Sequence, residues 1–189
     1  MINIIGGKFK KTKLEVPLKK VRPTSIIKRK AIFSILESYG IQNSIDIYYK
    51  KSVIDLFAGS GALGLEAISR GAYYCYFFDT AKEVCDTLYK NCKKIIKENK
   101  FNIQKKDSRE IKKILLKYPL SLVFIDPPYN LYSINDILIN LLEKNIFEKN
   151  TIIVIETSNK EKVNFKKNFI LIKEKKYNKT NILFLKKLG

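Results

Sequence analysis

The chain sorts into short apolar runs and longer stretches of helical spacing, and from residue 53 onward the two alternate. Residues 53–57, VIDLF, form an apolar run holding one acid, the pattern of a strand covered on both faces. Residues 62–70 return to helical spacing, with Leu63, Ala67 and Ile68 as the buried stripe. The pattern then predicts a strand over 73–78 ending at Asp79. A helix over 81–98 follows, with Val84, Leu88, Cys92 and Ile95 inward, then a strand over 101–104 and a helix over 109–117. A strand over 120–125, a helix over 134–144 and a strand over 151–155 ending at Glu156 come next. The chain closes with a hairpin of residues 168–174 and 181–187 through Asn178. Strands alternating with helices imply a mostly parallel sheet with right-handed crossovers.

Residues 1–20 read differently, as a short hairpin. Ile2, Ile4 and Ile5 precede Gly6-Gly7, Leu14 and Val16 follow a basic stretch, and Pro17 closes it. Thr24 or Ser25 then caps a helix running to about Tyr39, with Ile27, Ala31, Phe33, Ile35 and Leu36 available for packing and Gly40 at its end. Residues 41–52 make a polar connection. With no internal repeat and no long linker, the expectation is one α/β domain (residues 52–189) carrying a basic N-terminal extension of hairpin and helix (residues 1–51). No run of about eighteen apolar residues predicts a transmembrane helix. The N-terminus MINIIGGKFKKTK lacks the apolar core and cleavage site of a signal peptide. A cytoplasmic location is expected.

Charge adds a partner class. The 189 residues carry a net charge of +19, and its placement is uneven. Residues 1–30 hold ten Lys/Arg and one Glu; residues 160–189 hold ten Lys and two Glu; the rest holds 17 basic and 15 acidic residues. Two basic arms around a nearly neutral middle point to a polyanion, most simply nucleic acid. Composition also excludes chemistries. There is no histidine, which removes Ser-His-Asp catalysis and His-ligated metals. Cys75, Cys85 and Cys92 have neither disulfide nor zinc spacing and read as incidental thiols, so no metal is expected.

Two motifs carry chemistry. Gly59, Gly61 and Gly64 satisfy G-x-G-x-x-G directly after a strand, and Asp79 lies twenty residues past Gly59 at the end of the next strand, where a carboxylate accepts from ribose hydroxyls. This much fits a dinucleotide or an adenosyl cofactor equally. The second motif is Asp126-Pro127-Pro128-Tyr129, after the strand over 120–125. Two prolines remove N–H donors and turn nearby carbonyls outward as acceptors. Asp126 adds a carboxylate and Tyr129 a flat face. That set suits a planar ring bearing an exocyclic NH2, with acceptors on both amine hydrogens.

Together these motifs resemble class I S-adenosylmethionine-dependent methyltransferases that modify exocyclic amines through (Asp/Asn)-Pro-Pro-(Tyr/Phe). Within that class the chain is most similar to the RsmD family, bacterial 16S ribosomal RNA guanine-N2 methyltransferases. The stretches IIGGKFKKTKLEVP, VRPTSIIKRKAIFSIL, DLFAGSGALGLEAISRGA, DPPY, IVIE and KKYNKTNILFL carry the resemblance over essentially the whole chain. Lys30, Asp79, Ala81 and Asn178 depart from the family's usual residues.

The resemblance implies a Rossmann-like fold: a seven-stranded, mostly parallel sheet with a C-terminal antiparallel hairpin. It implies S-adenosylmethionine as cofactor, ribosomal RNA (alone or in the assembled small subunit) as partner, and a monomeric enzyme. Carried over by motif, Asp55 faces the cofactor's ammonium, the Gly59 and Gly61 backbone packs on its carboxypropyl part, Asp79 binds the ribose, and Asp107 with Ser108 binds the adenine. Asp126, the Pro127 carbonyl and Tyr129 hold the target guanine, while Lys8, Lys10, Arg22, Arg29 and Lys179 hold phosphates. Three other readings compete. A DNA amino-methyltransferase acting on adenine N6 or cytosine N4 needs a target-recognition insertion, and the chain has no room for one. An NAD-dependent oxidoreductase leaves DPPY and the basic arms unexplained. A non-enzymatic nucleic-acid binder leaves the glycines unexplained.

Overall fold

The computed structural model describes residues 2–17, 25–96, 100–128, 131–165 and 167–189. In chain order its elements are β1 (Ile2–Asn3), β2 (Lys13–Leu14), α1 (Ile26–Gln42), β3 (Ser52–Leu56), α2 (Ala62–Ser69), β4 (Tyr74–Asp79), α3 (Lys82–Ile95), β5 (Phe101–Lys105), β6 (Leu120–Ile125), α4 (Ile134–Glu143), β7 (Ile152–Ser158), β8 (Phe169–Lys176) and β9 (Thr180–Lys187). β1 and β2 pair with each other, and the remaining strands form one sheet in the order β5-β4-β3-β6-β7-β9-β8. Pairings from β5 to β7 are parallel, and β9 runs antiparallel to both β7 and β8. The chain moves outward from β3 to β5, then returns to the other side of β3 as β6. That reversal opens a crevice beyond the carboxyl ends of β3 and β6. Among the described residues, no helix is long and apolar enough to cross a membrane.

Alternation along β3 feeds two cores. Val53 packs with Phe33, Leu65, Phe77, Leu88 and Phe124 on the face covered by α1, α2 and α3. Ile54 and Leu56 pack with Ile137, Leu141 and Ile153 on the face covered by α4. The N-terminal segment joins the first of these cores rather than forming its own: Ile4, Leu14, Ile32, Phe33 and Leu36 belong to it.

Two expectations are corrected. The helix expected over 109–117 is only a 3-10 turn at Ser108–Glu110, followed by irregular chain. Ile111 and Ile114 have helical spacing and are buried. Yet the Tyr76 hydroxyl donates to the Leu115 carbonyl (2.9 Å) and accepts from the Lys117 amide (2.9 Å), which takes those groups out of any helical ladder. The buried stripe of α1 also differs. Ile27 is 73% exposed and Arg29 is fully buried.

The cause is a polar network centred on Glu66. Arg29 Nη1 donates to the Asn3 carbonyl (2.9 Å) and lies 3.9 Å from Glu66 Oε2. That oxygen accepts the Ile5 amide (2.8 Å), while Glu66 Oε1 accepts from Arg70 Nε (3.0 Å). One buried carboxylate therefore ties the hairpin, α1 and α2 together. Arg29, expected at the RNA surface, is a structural residue that cannot reach a phosphate from this position. Removing one partner of a buried ion pair leaves an uncompensated charge. Arg29→Ala is expected to cost about 3 kcal/mol or more in urea unfolding. Lys30→Ala, on the exposed neighbour, is expected to stay within about 0.5 kcal/mol.

Candidate active site

The turn between β3 and α2 is built from small residues under backbone constraint. Phe57 sits at φ 60, Gly59 at φ 55 and Gly61 at φ 79. Glycine takes such angles freely, whereas a phenylalanine there is strained, a cost that tends to persist at functional sites. Gly61 caps α2, and Gly64 lies one turn into it. A Cβ on Gly64 would sit 2.4 Å from the Phe77 ring and 2.7 Å from Cys75 Sγ, so this glycine serves close helix–sheet packing.

Three carboxylates converge on the turn. Asp55 is 2% exposed and accepts the Gly64 amide at Oδ2 (2.8 Å). Burial pushes its pKa well above the ordinary carboxylate value; the Gly64 bond opposes this, and the charges on Asp126 and Asp79 add to it. Asp79 accepts the Gly59 amide at Oδ2 (3.0 Å) and the Ala81 amide at Oδ1 (3.2 Å), leaving a lone pair on each oxygen. Asp126 follows β6 directly. Asp55 pairs with Phe124 and Leu56 with Ile125, so one further step sets Asp126 beside Phe57 at the mouth of the crevice.

Asp107 stands beyond β5 and is already heavily engaged. Its Oδ1 accepts from the Arg109 amide and Nε (2.9 Å each), and its Oδ2 from Arg109 Nη2 (2.7 Å) and the Tyr132 hydroxyl (2.9 Å). Hydrogen bonding from Arg109 lowers its pKa to about 2. Those four bonds fill the carboxylate's acceptor sites, so a ligand N–H must displace one of them. Ser108 beside it is buried, and its Oγ has no hydrogen-bond partner among the described residues.

Tyr132 was not legible as a site residue. It bonds Asp107, packs edge-on against Phe57 at 4.7 Å between centroids, and lies under the Arg109 guanidinium at 4.8 Å. It also lines a cleft of about 410 Å³ with Pro127, Pro128, Glu156 and Lys160. Sequence offered only an aromatic three residues past DPPY.

The expected basic residues divide. The Lys179 carbonyl accepts the Asn159 amide just past β7, beside this cleft. The Lys8 amide donates instead to the Ser69 carbonyl at the far end of α2, with Lys10 in the same turn. That is about 12 Å along the helix from the glycine turn. Arg22 and Tyr129 lie outside the described residues. Burial pushes the Cys92 thiol up to about 12 and Cys75 well above its usual value, so neither is a ready nucleophile. Among the described residues no cluster of His, Cys, Asp or Glu could hold a metal ion.

This arrangement has relatives. The sequence profile of a family described as Conserved hypothetical protein 95 matches residues 2–186. Ribosomal RNA small subunit methyltransferase D from Buchnera aphidicola subsp. Acyrthosiphon pisum is 37% identical over 176 residues, covering 92% of this chain and 87% of that protein. The solved structure of yhhF from Escherichia coli superposes with a TM-score of 0.82 at 26% identity, covering 100% of this chain and 98% of that one. Magnesium protoporphyrin IX methyltransferase from Synechocystis, solved with bound SAM, shares the fold at a TM-score of 0.62 and 10% identity, over 88% of this chain and 86% of that one. On these matches the chain belongs to the RsmD family of class I methyltransferases.

Proposed function

We propose that this chain transfers a methyl group from S-adenosylmethionine to the exocyclic N2 amine of a guanine in small-subunit ribosomal RNA, acting as a monomer. Enzyme class and cofactor follow from the family; guanine, its N2 atom and the monomeric state are the reading offered here. The observation that carries it is the β3–β6 register, which brings the Gly59–Gly61 turn beside the Asp126-Pro127-Pro128 corner at the switch of strand order.

The residues fit the cofactor. Ser108 offers a buried hydroxyl with no partner among the described residues, Asp79 keeps a lone pair on each oxygen, and Asp55 is a buried carboxylate at the turn. Asp79 would hold the ribose, Asp55 the ammonium and Ser108 the adenine, with Asp107 contributing once a bond to Arg109 is given up. When bound, the cofactor supplies an electrophilic methyl carbon. The chain's own work is positioning and charge stabilisation. Asp126 and the Pro127 carbonyl accept from the target amine, favouring its more nucleophilic pyramidal form and stabilising the positive charge that develops there. Asp126 needs little basicity, because the amine proton becomes acidic only after transfer. At that corner Pro127 is buried, Asp126 half-buried and Pro128 exposed. The base must leave its stack to reach it. Lys160 lines the cleft where the RNA backbone would pass, and the Lys179 backbone bonds its neighbour Asn159.

The deciding assay follows labelled methyl transfer to deproteinised small-subunit RNA, assembled subunits and DNA, with nucleoside analysis of the product. N2-methylguanosine is expected, and methylated DNA would overturn the proposal. Asp126→Ala is expected to lower transfer about 100-fold or more while titration calorimetry shows S-adenosylhomocysteine affinity nearly unchanged. Asp55 yields a pH test. Its raised folded pKa means the neutral form is favoured, so its stabilising contribution is complete below the unfolded value of about 3.9 and is lost as pH rises through the folded pKa. Asp55→Asn is therefore expected to raise the melting temperature at pH 7–8 and much less near pH 4, while weakening cofactor binding about tenfold or more.

A further inference from the structure

DPP corners serve several amines, so something else must distinguish guanine. Register points to Glu156. The β6–β7 ladder pairs Phe124 with Val154 and Ile125 with Ile155. The next step sets Asp126 beside Glu156, on strands about 4.8 Å apart. Alternation gives both residues the face that carries Phe124 and Val154. Glu156 lines the cleft together with Pro127 and Pro128 and is 6% exposed.

Its carboxylate is held from outside the sheet. Glu156 Oε1 accepts from Lys28 Nζ, which comes from the first turn of α1 and also lies over the Tyr177 ring at 5.6 Å. The Lys28 ammonium offsets repulsion between two carboxylates on adjacent strand ends and fixes one oxygen of Glu156. The Lys28 bond takes one of a carboxylate's roughly four acceptor sites.

We propose that Glu156, positioned by Lys28, selects guanine by accepting its N1–H while Asp126 accepts from N2. The proposal rests on the guanine-N2 reading above and deepens it. Guanine presents N1–H and N2–H as contiguous donors. Adenine and cytosine place a ring-nitrogen lone pair next to their exocyclic amine, and that lone pair would face the Glu156 oxygen. A site built to pair a particular N–H rejects bases lacking it, because its buried acceptor is then left unpaired.

The test uses 2-aminopurine, which keeps the 2-amine but has a lone pair at N1. It is placed at the methylated nucleotide of otherwise identical small-subunit RNA. Wild type is expected to prefer guanine roughly ten- to hundredfold in kcat/KM. Glu156→Gln is expected to lose most of that preference, because an amide can donate as well as accept. Lys28→Ala is expected to erode it as well. Glu156→Asp keeps the charge with a shorter reach, and is expected to slow guanine turnover while leaving 2-aminopurine turnover in place. S-adenosylhomocysteine binding to each variant reports folding independently of base choice. Retention of the full wild-type preference in Glu156→Gln, or equal losses on both bases in Glu156→Asp, would overturn the inference. A wild-type enzyme that methylates adenine or cytosine instead would overturn the guanine reading itself, and nucleoside analysis separates that outcome from the first two.

Discussion

β3 lies in the interior of the sheet, with parallel neighbours on both sides and all five of its residues buried. Parallel strands cannot be joined by tight turns, so every strand from β3 to β7 delivers its chain at the same edge. That constraint gathers Phe57, Asp79, Asp107, Asp126 and Glu156 from five separate segments onto one rim. Two costs are concentrated there: a phenylalanine at φ 60 and a carboxylate sealed from water. Each disfavours the folded state, and both sit where a charged ligand and a bent backbone are useful.

The second organising element is Glu66. Its bonds to Ile5 and Arg70, and its charge beside Arg29, act together with the Lys8 and Phe9 amide bonds to Ser69 in orienting the hairpin and α1. The orientation matters for chemistry, because α1 carries Lys28 to Glu156. The N-terminal segment thus reaches a residue that lines the cleft. Asn91 makes a parallel link on the other flank, bonding Glu15 through both backbone groups and the Ser60 carbonyl in the glycine turn.

Much of this was legible from residue order alone. Alternating strand and helix periods fixed the sheet, and two motifs about seventy residues apart marked its two halves. What escaped was set by contacts between residues far apart in the chain. Ile111 and Ile114 have the spacing of a helix, but a tyrosine hydroxyl from β4 claims the backbone that helix would need. Arg29 looked like a surface cation because arginine is seldom fully buried; its partner lies 37 positions away. Tyr132 carries no local pattern and Glu156 reads only as the acid ending a strand; their place at the cleft emerges from strand register and loop return. The Asp107–Arg109 pair, two residues apart, was unread because closeness in sequence does not reveal that Arg109 and Tyr132 together saturate the carboxylate.

The same distinction sharpens the meaning of the net charge. Of the cations expected to bind RNA, Lys179 is tied by its backbone to Asn159 just past β7, whereas Lys8 and Lys10 belong to a turn bonded to Ser69, about 12 Å down α2 from the glycine turn. At physiological ionic strength the screening length is about 8 Å, so that pair contributes little to the field felt by a base at Asp126. Its effect on binding requires a substrate that reaches both places at once. A folded RNA spans such distances and a single nucleotide does not. The separation of basic residues from the reacting corner is thus itself a reason to expect a large, structured polyanion rather than a small one.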